Sequence, residues 1–452
     1  MIKRISILGA GESGLGAALL AQQKGYAVWV SEKGSISDDK RQILIKNQIP
    51  FEEGSHSLEK ILTADEIIKS PGISPKTDIV QLAIERGIPV IDELEFASRF
   101  SKGKVIAITG TNGKTTTTLL TYHLLKKGGL NVGLAGNVGK SWAGQLVHQD
   151  HDWWVIETSS FQIDGFVTLK PIISILTNIT PDHLDRYDYQ LENYVSSKLA
   201  LFDAMDANGH IIYFADDELV SQGLNKSMLK STRHGVSLLH PQINGAVAVG
   251  DKVVVELDQV GRFEFAMENY SLKGMHNVLN SSFASIAALL AGVDIVDVKT
   301  GLADFQNAPH RMEQVGIIDG VSFVNDSKGT NVDATIYALQ AYNEPLIWIA
   351  GGVDKGNDYS VLLPLVKGKV HTLFCLGIDN EKIKNAFQGH IPNILESENI
   401  TEVVRISKDL AQPGDVVLLS PACASFDLFK NYEDRGNQFR SAVHQLKLTV
   451  EQ

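Results

Sequence analysis

Short runs of nearly uninterrupted apolar residues recur along the whole chain, and stretches with helical spacing lie between them. "RISIL" at 4–8, "AVWV" at 27–30, "VIAIT" at 105–109 and "WWVIET" at 153–158 are of this kind. So are "IISILTNI" at 172–179, "PLIWIAGG" at 345–352, "HTLFCLG" at 371–377 and "DVVLLSPA" at 415–422. A strand that is apolar on both faces must be covered on both faces. Strands of that kind alternating with helices imply mostly parallel sheets with helices on either side, an α/β class. Between 245 and 265 the pattern changes to alternation, "GAVAVGDKVVVELDQVGRFEF", which predicts a small antiparallel sheet inserted in or appended to a middle domain.

With 452 residues the chain is too long for one core. Two polar breaks, "SRFSKGK" at 98–104 and "FQNAPHRME" at 305–313, divide it into three domains, 1–100, 101–308 and 309–452. The net charge of −12 argues against a broad nucleic-acid face, which needs a basic surface. Local lysines and backbone N–H groups can still dominate a cleft that takes a small anion. The two cysteines, Cys375 and Cys423, cannot build a disulfide framework, which suits a reducing compartment. The first residues are basic and apolar like a leader, but "GAGESG" breaks the run, and a strand–turn–helix reads better. No apolar run reaches membrane-spanning length, so the expectation is a cytoplasmic protein without a membrane partner.

The segment "TGTNGKTTTT" at 109–118 looks like a phosphate loop that has lost two residues. The common loop has four residues between its first glycine and its Gly-Lys pair, whereas Gly110 and Gly113 are separated by two. The context preserves the chemistry. A strand precedes the loop and a helix follows from Thr115, so the N–H groups from Gly110 through Thr111, Asn112 and Gly113 to Thr116 can aim at phosphates. Lys114 adds a point charge, and the Thr115 hydroxyl can reach Mg²⁺. The plain alternative, a glycine turn that only caps a helix, leaves Gly-Lys-Thr without a purpose. Glu157 ends an apolar strand, where a carboxylate is costly unless it faces a cleft or a cation. A buried ion pair is the structural alternative; beside a phosphate loop, Mg²⁺ is favoured.

Gly9, Gly11 and Gly14 form a complete G-x-G-x-x-G after a strand, and Glu32 follows the next strand. Alone this is a dinucleotide fingerprint and points to a nicotinamide-dependent oxidoreductase; a glycine-rich crossover turn is the plain reading. The second phosphate loop separates the cases, because a dehydrogenase has no use for it.

"GTNGKTTT" resembles the ATP loop of the Mur ligases and of folylpolyglutamate synthases, in which the short form is standard. The resemblance runs along nearly the whole chain. It continues through "SPGI" at 70–73, "GNVG" at 136–139, "ETSSFQ" at 157–162, "NITPDHLDRY" at 178–187 and "SSKLALF" at 196–202. It closes with "GMHNVLN" at 274–280, "PHRME" at 309–313, "NDSKGTN" at 325–331 and "LSPACASFDLFKNYEDRG" at 419–436. Several of these are weak alone; in family order they are specific. "NDSKGTN" and "SPACASFDLF" match the members that add D-glutamate, and the Asp-Asn-Pro-Arg motif of the diamino-acid-adding members is absent.

The resemblance implies an ADP-forming amide ligase of peptidoglycan precursor synthesis with three domains. The first is Rossmann-like, the second P-loop ATPase-like with the small antiparallel sheet, and the third Rossmann-like. It implies the substrates UDP-N-acetylmuramoyl-L-alanine and D-glutamate, with ATP and two Mg²⁺ ions, and a monomer. Ser13 and Gly14 are then assigned to the diphosphate, Glu32 to the uridine side, Ser70, Pro71 and Gly72 to the uridine-contact segment, and Asn137 to the same substrate. Thr115, Glu157, His183 and Lys198 become metal ligands, Lys198 through a carbamate formed from CO₂ at its side chain. Lys114, His183 and Lys198 form the catalytic set.

By the same resemblance Asn277 contacts adenine, Arg311 the ATP phosphates and Asp326 the ribose, so that ATP joins the second and third domains. Lys328, Thr330, Lys355, Ser425 and Phe426 fall at strand ends of the third domain, where ligands of parallel sheets bind, and suit the two carboxylates of D-glutamate. Tyr432 can line that site with its ring; core packing is the alternative. The rival readings are a sister ligase of the family, a folylpolyglutamate synthase-like ligase, the oxidoreductase, and a nucleotide-binding regulator without catalysis. The presence of Lys114, Glu157, His183 and Lys198 together counts against the last.

Overall fold

The computed structural model describes residues 2–182, 184–272 and 274–450. The chain folds as two compact units, Met1–Ser271 with Val278–Phe305, and Leu272–Asn277 with Gln306–Gln452.

The first unit holds two sheets. One contains β1 (Arg4–Leu8), β2 (Ala27–Glu32), β3 (Phe51–Glu53), β4 (Glu66–Lys69) and β5 (Val90–Asp92) in the order β3-β2-β1-β4-β5. All its pairings are parallel. The chain runs outward from β1 to β2 on one side and returns to β4 on the other. That reversal opens a crevice beyond the carboxyl end of β1, where the glycine turn lies.

The second sheet contains β6 (Lys104–Thr109), β7 (Val132–Gly136), β8 (Trp153–Glu157), β9 (Ile173–Leu176), β10 (His210–Phe214), β11 (Thr232–Ser237), β12 (Gly245–Val249), β13 (Lys252–Leu257) and β14 (Gly261–Ala266). Their order is β14-β13-β12-β11-β10-β9-β6-β8-β7. The alternating segment does form antiparallel strands β12 to β14. It is not a sheet of its own: β12 pairs in parallel with β11, so the ribbon extends the edge of the main sheet. Alternation arises because only one face is covered; Val253, Val255 and Leu257 are buried while Lys252 and Glu256 are exposed.

These two sheets share one core. The helix Glu12–Gln23 packs on the helices Trp142–Leu146 and Glu93–Ser98, and Leu15, Ala18, Phe96, Trp142 and Trp154 belong to one apolar cluster. Buried carboxylates fasten the same seam. Glu93 accepts the Ser141 hydroxyl and the Ala143 N–H, each at 2.7 Å. Glu95 accepts the N–H groups of Val167, Thr168 and Leu169 and the Thr168 hydroxyl.

The second unit carries β15 (Glu313–Ile318), β16 (Val321–Asn325), β17 (Leu346–Ala350), β18 (Val370–Leu376), β19 (Asn393–Ser397) and β20 (Val416–Leu419) in the order β15-β16-β20-β17-β18-β19. Only β15 runs antiparallel to its neighbour. Along β17, Leu346, Trp348 and Ala350 enter one core and Ile347 and Ile349 the core on the other face. Both faces are covered, which is why this strand reads as a continuous apolar run.

Candidate functional site

The phosphate loop lies between β6 and the helix Lys114–Lys127. β6 is flanked by β8 and β9, so the ends of three parallel strands meet there. The loop needs both of its glycines. Gly110 has φ +147° and Gly113, at the helix N-cap, has φ +82°, a left-handed conformation that a side chain strains. A Cβ at Gly110 would lie 1.9 Å from Thr177 Oγ1, and one at Gly113 would lie 2.5 Å from Asn280 Oδ1.

The segment after β9 braces the loop. Thr111 N–H donates to Asn178 O, Asn112 N–H to Asn178 Oδ1, and Thr180 N–H to Thr111 Oγ1. Lys114 Nζ curls back onto Gly110 O and Thr111 O, both at 2.8 Å. The ammonium thus lies over the concave side of the loop, where it can transfer to a phosphate.

Glu157 lies at the end of β8 opposite Ile108 and is 2% exposed. Its Oε1 accepts Asn137 Nδ2 at 3.1 Å, and its buried Oε2 has no hydrogen-bond partner among the described residues. A carboxylate oxygen left so out of water fits a bound cation. The residues present therefore suit Mg²⁺ beside the loop, and Asn137, an exposed member of "GNVG", holds the carboxylate by its other oxygen. Thr115 and Thr116 occupy the first turn of the helix.

Lys198 comes from the helix Leu191–Asp203 and is also 2% exposed. Its Nζ donates to Gly110 O at 2.8 Å and lies 4.6 Å from the Tyr194 ring centroid. Tyr194 reaches the same loop through Thr111 Oγ1 at 3.2 Å. Burial, and next the Lys114 ammonium, push the Lys198 amine well below the ordinary lysine range. Burial thus favours the neutral form of the amine, the form that can combine with CO₂. His183 lies outside the described residues. Its neighbour Arg186 donates to Gly72 O at 3.1 Å and stacks over Phe161.

At the carboxyl edge of the first sheet, Glu32 binds the glycine turn. Its Oε2 accepts Ala10 N–H and its Oε1 accepts Gly34 N–H. Gly14 cannot carry a side chain, because a Cβ would lie 1.9 Å from Gly9 O. Ser13 lies in the first turn of the helix Glu12–Gln23, and Ser70, Pro71 and Gly72 follow β4. The turn after β1 and the segment after β4 come close together, since a Cβ at Gly9 would lie 2.5 Å from Ser70 Oγ.

In the second unit Asp326 follows β16 and is buried. Its Oδ2 accepts the Ser420 hydroxyl and its Oδ1 the Met312 N–H. Burial pushes its carboxyl up to about 7. Arg311 lies between two residues of positive φ, His310 at +66° and Met312 at +47°, so a strained turn presents it. Lys328 and Thr330 follow β16, Lys355 follows β17, and Ser425 and Phe426 follow β20. Three adjacent strands thus deliver the residues expected to take the amino acid to one edge.

Lys328 Nζ sits 3.7 Å from the centre of the Tyr432 ring. Lys355 is exposed, and Phe426 is 69% exposed, unusual for an aromatic side chain. Asn277 is buried, in the first turn of the helix Met275–Leu290.

Sequence reasoning passed over several residues that shape the site. Asn178, Thr180, Tyr194 and Asn280 brace the phosphate loop, and Arg435 anchors the edge of the third sheet. All but Tyr194 lie inside motifs already singled out, so the signal existed. What the sequence withheld was which motif residue points inward.

Comparison with known proteins gives three family-model matches. The MurD N-terminal domain matches residues 4–79, the Mur ligase middle domain 108–288, and the Mur ligase glutamate ligase domain 310–423. The chain is 47% identical over 446 residues to the UDP-N-acetylmuramoylalanine–D-glutamate ligase of Christiangramia forsetii, covering 99% of this chain and 100% of the relative. It is 44% identical over 446 residues to the enzyme of that name from Bacteroides fragilis, covering 98% and 100%. Among solved structures, the UDP-N-acetylmuramate-alanine ligase MurC of Thermotoga maritima matches with a TM-score of 0.63 and 20% identity, covering 98% of this chain and 100% of the other. A pseudomurein peptide ligase type C from Methanothermus fervidus matches at 0.64 and 18%, covering 98% and 100%. At those identities the structures share the fold.

Proposed function

The chain belongs to the Mur ligase family, and from that premise we propose that it joins D-glutamate to UDP-N-acetylmuramoyl-L-alanine at the expense of ATP. The named relatives at 44–47% identity support the choice of substrates. Three functional domains, 1–100, 101–308 and 309–452, take the uridine nucleotide, ATP and the amino acid in turn. The protein acts as a monomer in the cytoplasm; no helix among the described residues is long and apolar enough to cross a membrane.

The substrate carboxylate attacks the γ-phosphorus of ATP, ADP leaves, and an acyl phosphate remains. The amine of D-glutamate then attacks the acyl carbon. The carbon–oxygen bond to phosphate breaks, the amine loses a proton, and the amide and phosphate result. There is little covalent work for the protein, so positioning and charge dominate. Lys114 leaves Gly110 O and Thr111 O for the phosphates, and the N–H groups from Gly110 to Thr116 hold them in place. Ser13 and Gly14 hold the diphosphate, with Glu32, Ser70, Pro71, Gly72 and Asn137 around the rest of that substrate.

Bound Mg²⁺ supplies charge neutralisation at the phosphates and the acyl carboxylate. Thr115, Glu157, His183 and a carbamylated Lys198 would hold two such ions. Asn277, Arg311 and Asp326 serve adenine, phosphate and ribose. Lys328, Thr330, Lys355, Ser425, Phe426 and Tyr432 receive D-glutamate.

The observation that carries this reading is the company kept by the phosphate loop. A buried carboxylate oxygen without a partner, on Glu157, and a buried lysine, Lys198, both border it. The test is ADP release with UDP-N-acetylmuramoyl-L-alanine and each amino acid in turn. D-glutamate should support turnover far better than L-glutamate, L-alanine or a diamino acid. Equal turnover with L-glutamate, or none with D-glutamate, overturns the assignment.

A further inference from the structure

The helix Tyr432–Val450 places Arg435 in its first turn, and the side chain is 1% exposed. A buried guanidinium is costly unless its donors are used. Here they are all directed at one small region. Nε donates to Ser327 Oγ at 3.0 Å, and Nη2 to Ser327 O at 2.9 Å. Nη2 and Nη1 also donate to Cys423 O, at 3.2 and 3.3 Å, and Nη1 reaches Gly351 O at 3.4 Å.

Ser327 follows β16, Cys423 follows β20 and Gly351 follows β17, and these three strands are neighbours in the sheet. One side chain therefore ties together the three segments that carry Lys328 and Thr330, Ser425 and Phe426, and Lys355. Two further contacts fix the same arrangement. Val353 N–H donates to Ala424 O at 2.8 Å, and the Ser327 hydroxyl donates to Tyr432 O at 2.8 Å.

We propose that Arg435 is the positioning residue of the amino-acid site, setting the mutual spacing of the three strand-end loops that receive the D-glutamate carboxylates. The inference rests on the ligase reading for the identity of that amino acid. Arg435 does not touch the ligand; it acts through the carbonyls it gathers. Its positive charge has a second effect. Its hydrogen bonds go to neutral oxygens, and Asp326 and Asp427 act on it only through space. A cation with no carboxylate in direct contact among the described residues, behind the carboxyl edge of a parallel sheet, favours an anionic ligand there. Lysine could keep the charge, but its single ammonium cannot span three loops as the planar fork does.

The test is steady-state kinetics of Arg435→Lys, varying ATP, the uridine substrate and the amino acid in turn, with a thermal melt of the same preparation. The amino-acid KM should rise about ten- to hundredfold, the effect of a few hydrogen bonds to a charged group. The ATP KM should move less, and the uridine-substrate KM should stay within about twofold. An unchanged amino-acid KM in folded protein overturns the proposal. So does a fall in kcat with all three KM values unchanged.

Should Arg435→Lys not fold, Ser327→Ala decides. It removes the hydroxyl that accepts from Nε and donates to Tyr432 O while leaving the guanidinium in place, and it should raise the amino-acid KM severalfold; no rise overturns the proposal. Wild-type protein run against several amino acids keeps the two ideas separate. If an amino acid other than D-glutamate is preferred, the substrate assignment fails, and the same KM comparison with the preferred one still tests Arg435.

Discussion

Lys198 illustrates how far a single residue can be read. Its spacing on an amphipathic helix is that of an ordinary solvated lysine, and the sequence offers no reason to bury it. In the fold its amine ends 2.8 Å from Gly110 O, beneath the phosphate loop and facing Tyr194. Burial and the Lys114 charge favour the neutral amine, which is the nucleophile needed to take up CO₂. If that adduct supplies an anionic oxygen to Mg²⁺, Lys198→Ala should be nearly inactive. A short carboxylic acid in the buffer should then enter the cavity and restore part of the rate. Full activity of the variant without any additive would show that neither the lysine nor a carbamate is needed. Glu157 was legible from sequence for the opposite reason: a carboxylate ending an apolar strand is conspicuous. His183 and Lys198 became candidates only through the family motifs, since neither residue type nor spacing distinguishes them from surface residues.

At the scale of elements, the strands buried on both faces were the readable ones. β1, β6, β8, β17, β18 and β20 appear as apolar runs because helices cover them on each side. β3 and β5 have three residues each, too short for any periodicity to register. β19 carries Asn393, Glu396 and Ser397 and lies at a sheet edge, so it does not look like a core strand. The edge ribbon β12–β14 was seen as antiparallel, but its junction with β11 was not, because pairing partners leave no mark on a single sequence. The phosphate loop and its helix were read nearly to the residue, since glycine conformation and loop chemistry are local.

That locality yields a prediction. Lys114→Ala removes a charge from one loop of the second sheet, whereas the uridine substrate is assigned to the turn after β1 and the segment after β4. Turnover should fall by about two to three orders of magnitude, the usual effect of losing one donor aimed at developing charge. The dissociation constant of the uridine substrate, measured by calorimetry, should change little. A large loss of that affinity in well-folded protein would place the uridine nucleotide on the wrong element.

For the molecule as a whole, the buried carboxylates make stability depend on pH. Burial pushes Asp92, Glu93 and Asp326 each up to about 7. The folded chain then holds protons that the unfolded chain has released, so stability falls as pH rises from the unfolded carboxylate range to about 7. Glu95, Glu313 and Asp354 have the opposite sign. Burial raises each, but hydrogen bonds, mainly from Thr168, Arg440 and Lys382 respectively, outweigh it and hold them below the usual range. Their contribution is present above the unfolded pKa and is lost as pH falls through the lowered folded value. The two sets therefore act in opposite directions, the first favouring mildly acid solution and the second opposing strongly acid solution, while burial of His234 and His276, each pushed down to about 4, adds stability as pH rises towards neutrality. Glu93 offers the cleanest test, because it lies in the seam between the first two sheets and is not assigned to any ligand. In Glu93→Gln the amide oxygen can still accept the Ser141 hydroxyl and the Ala143 N–H, while the ionisation is gone. Relative to wild type, the variant should therefore gain stability between pH 5 and pH 8. For a shift from 4.5 to about 7 the gain is on the order of 2–3 kcal/mol. Thermal or urea melts of both proteins at several pH values read the difference directly. If the gap between the two stays constant with pH, Glu93 ionises as readily in the folded chain as in the unfolded one, and the seam holds no such proton.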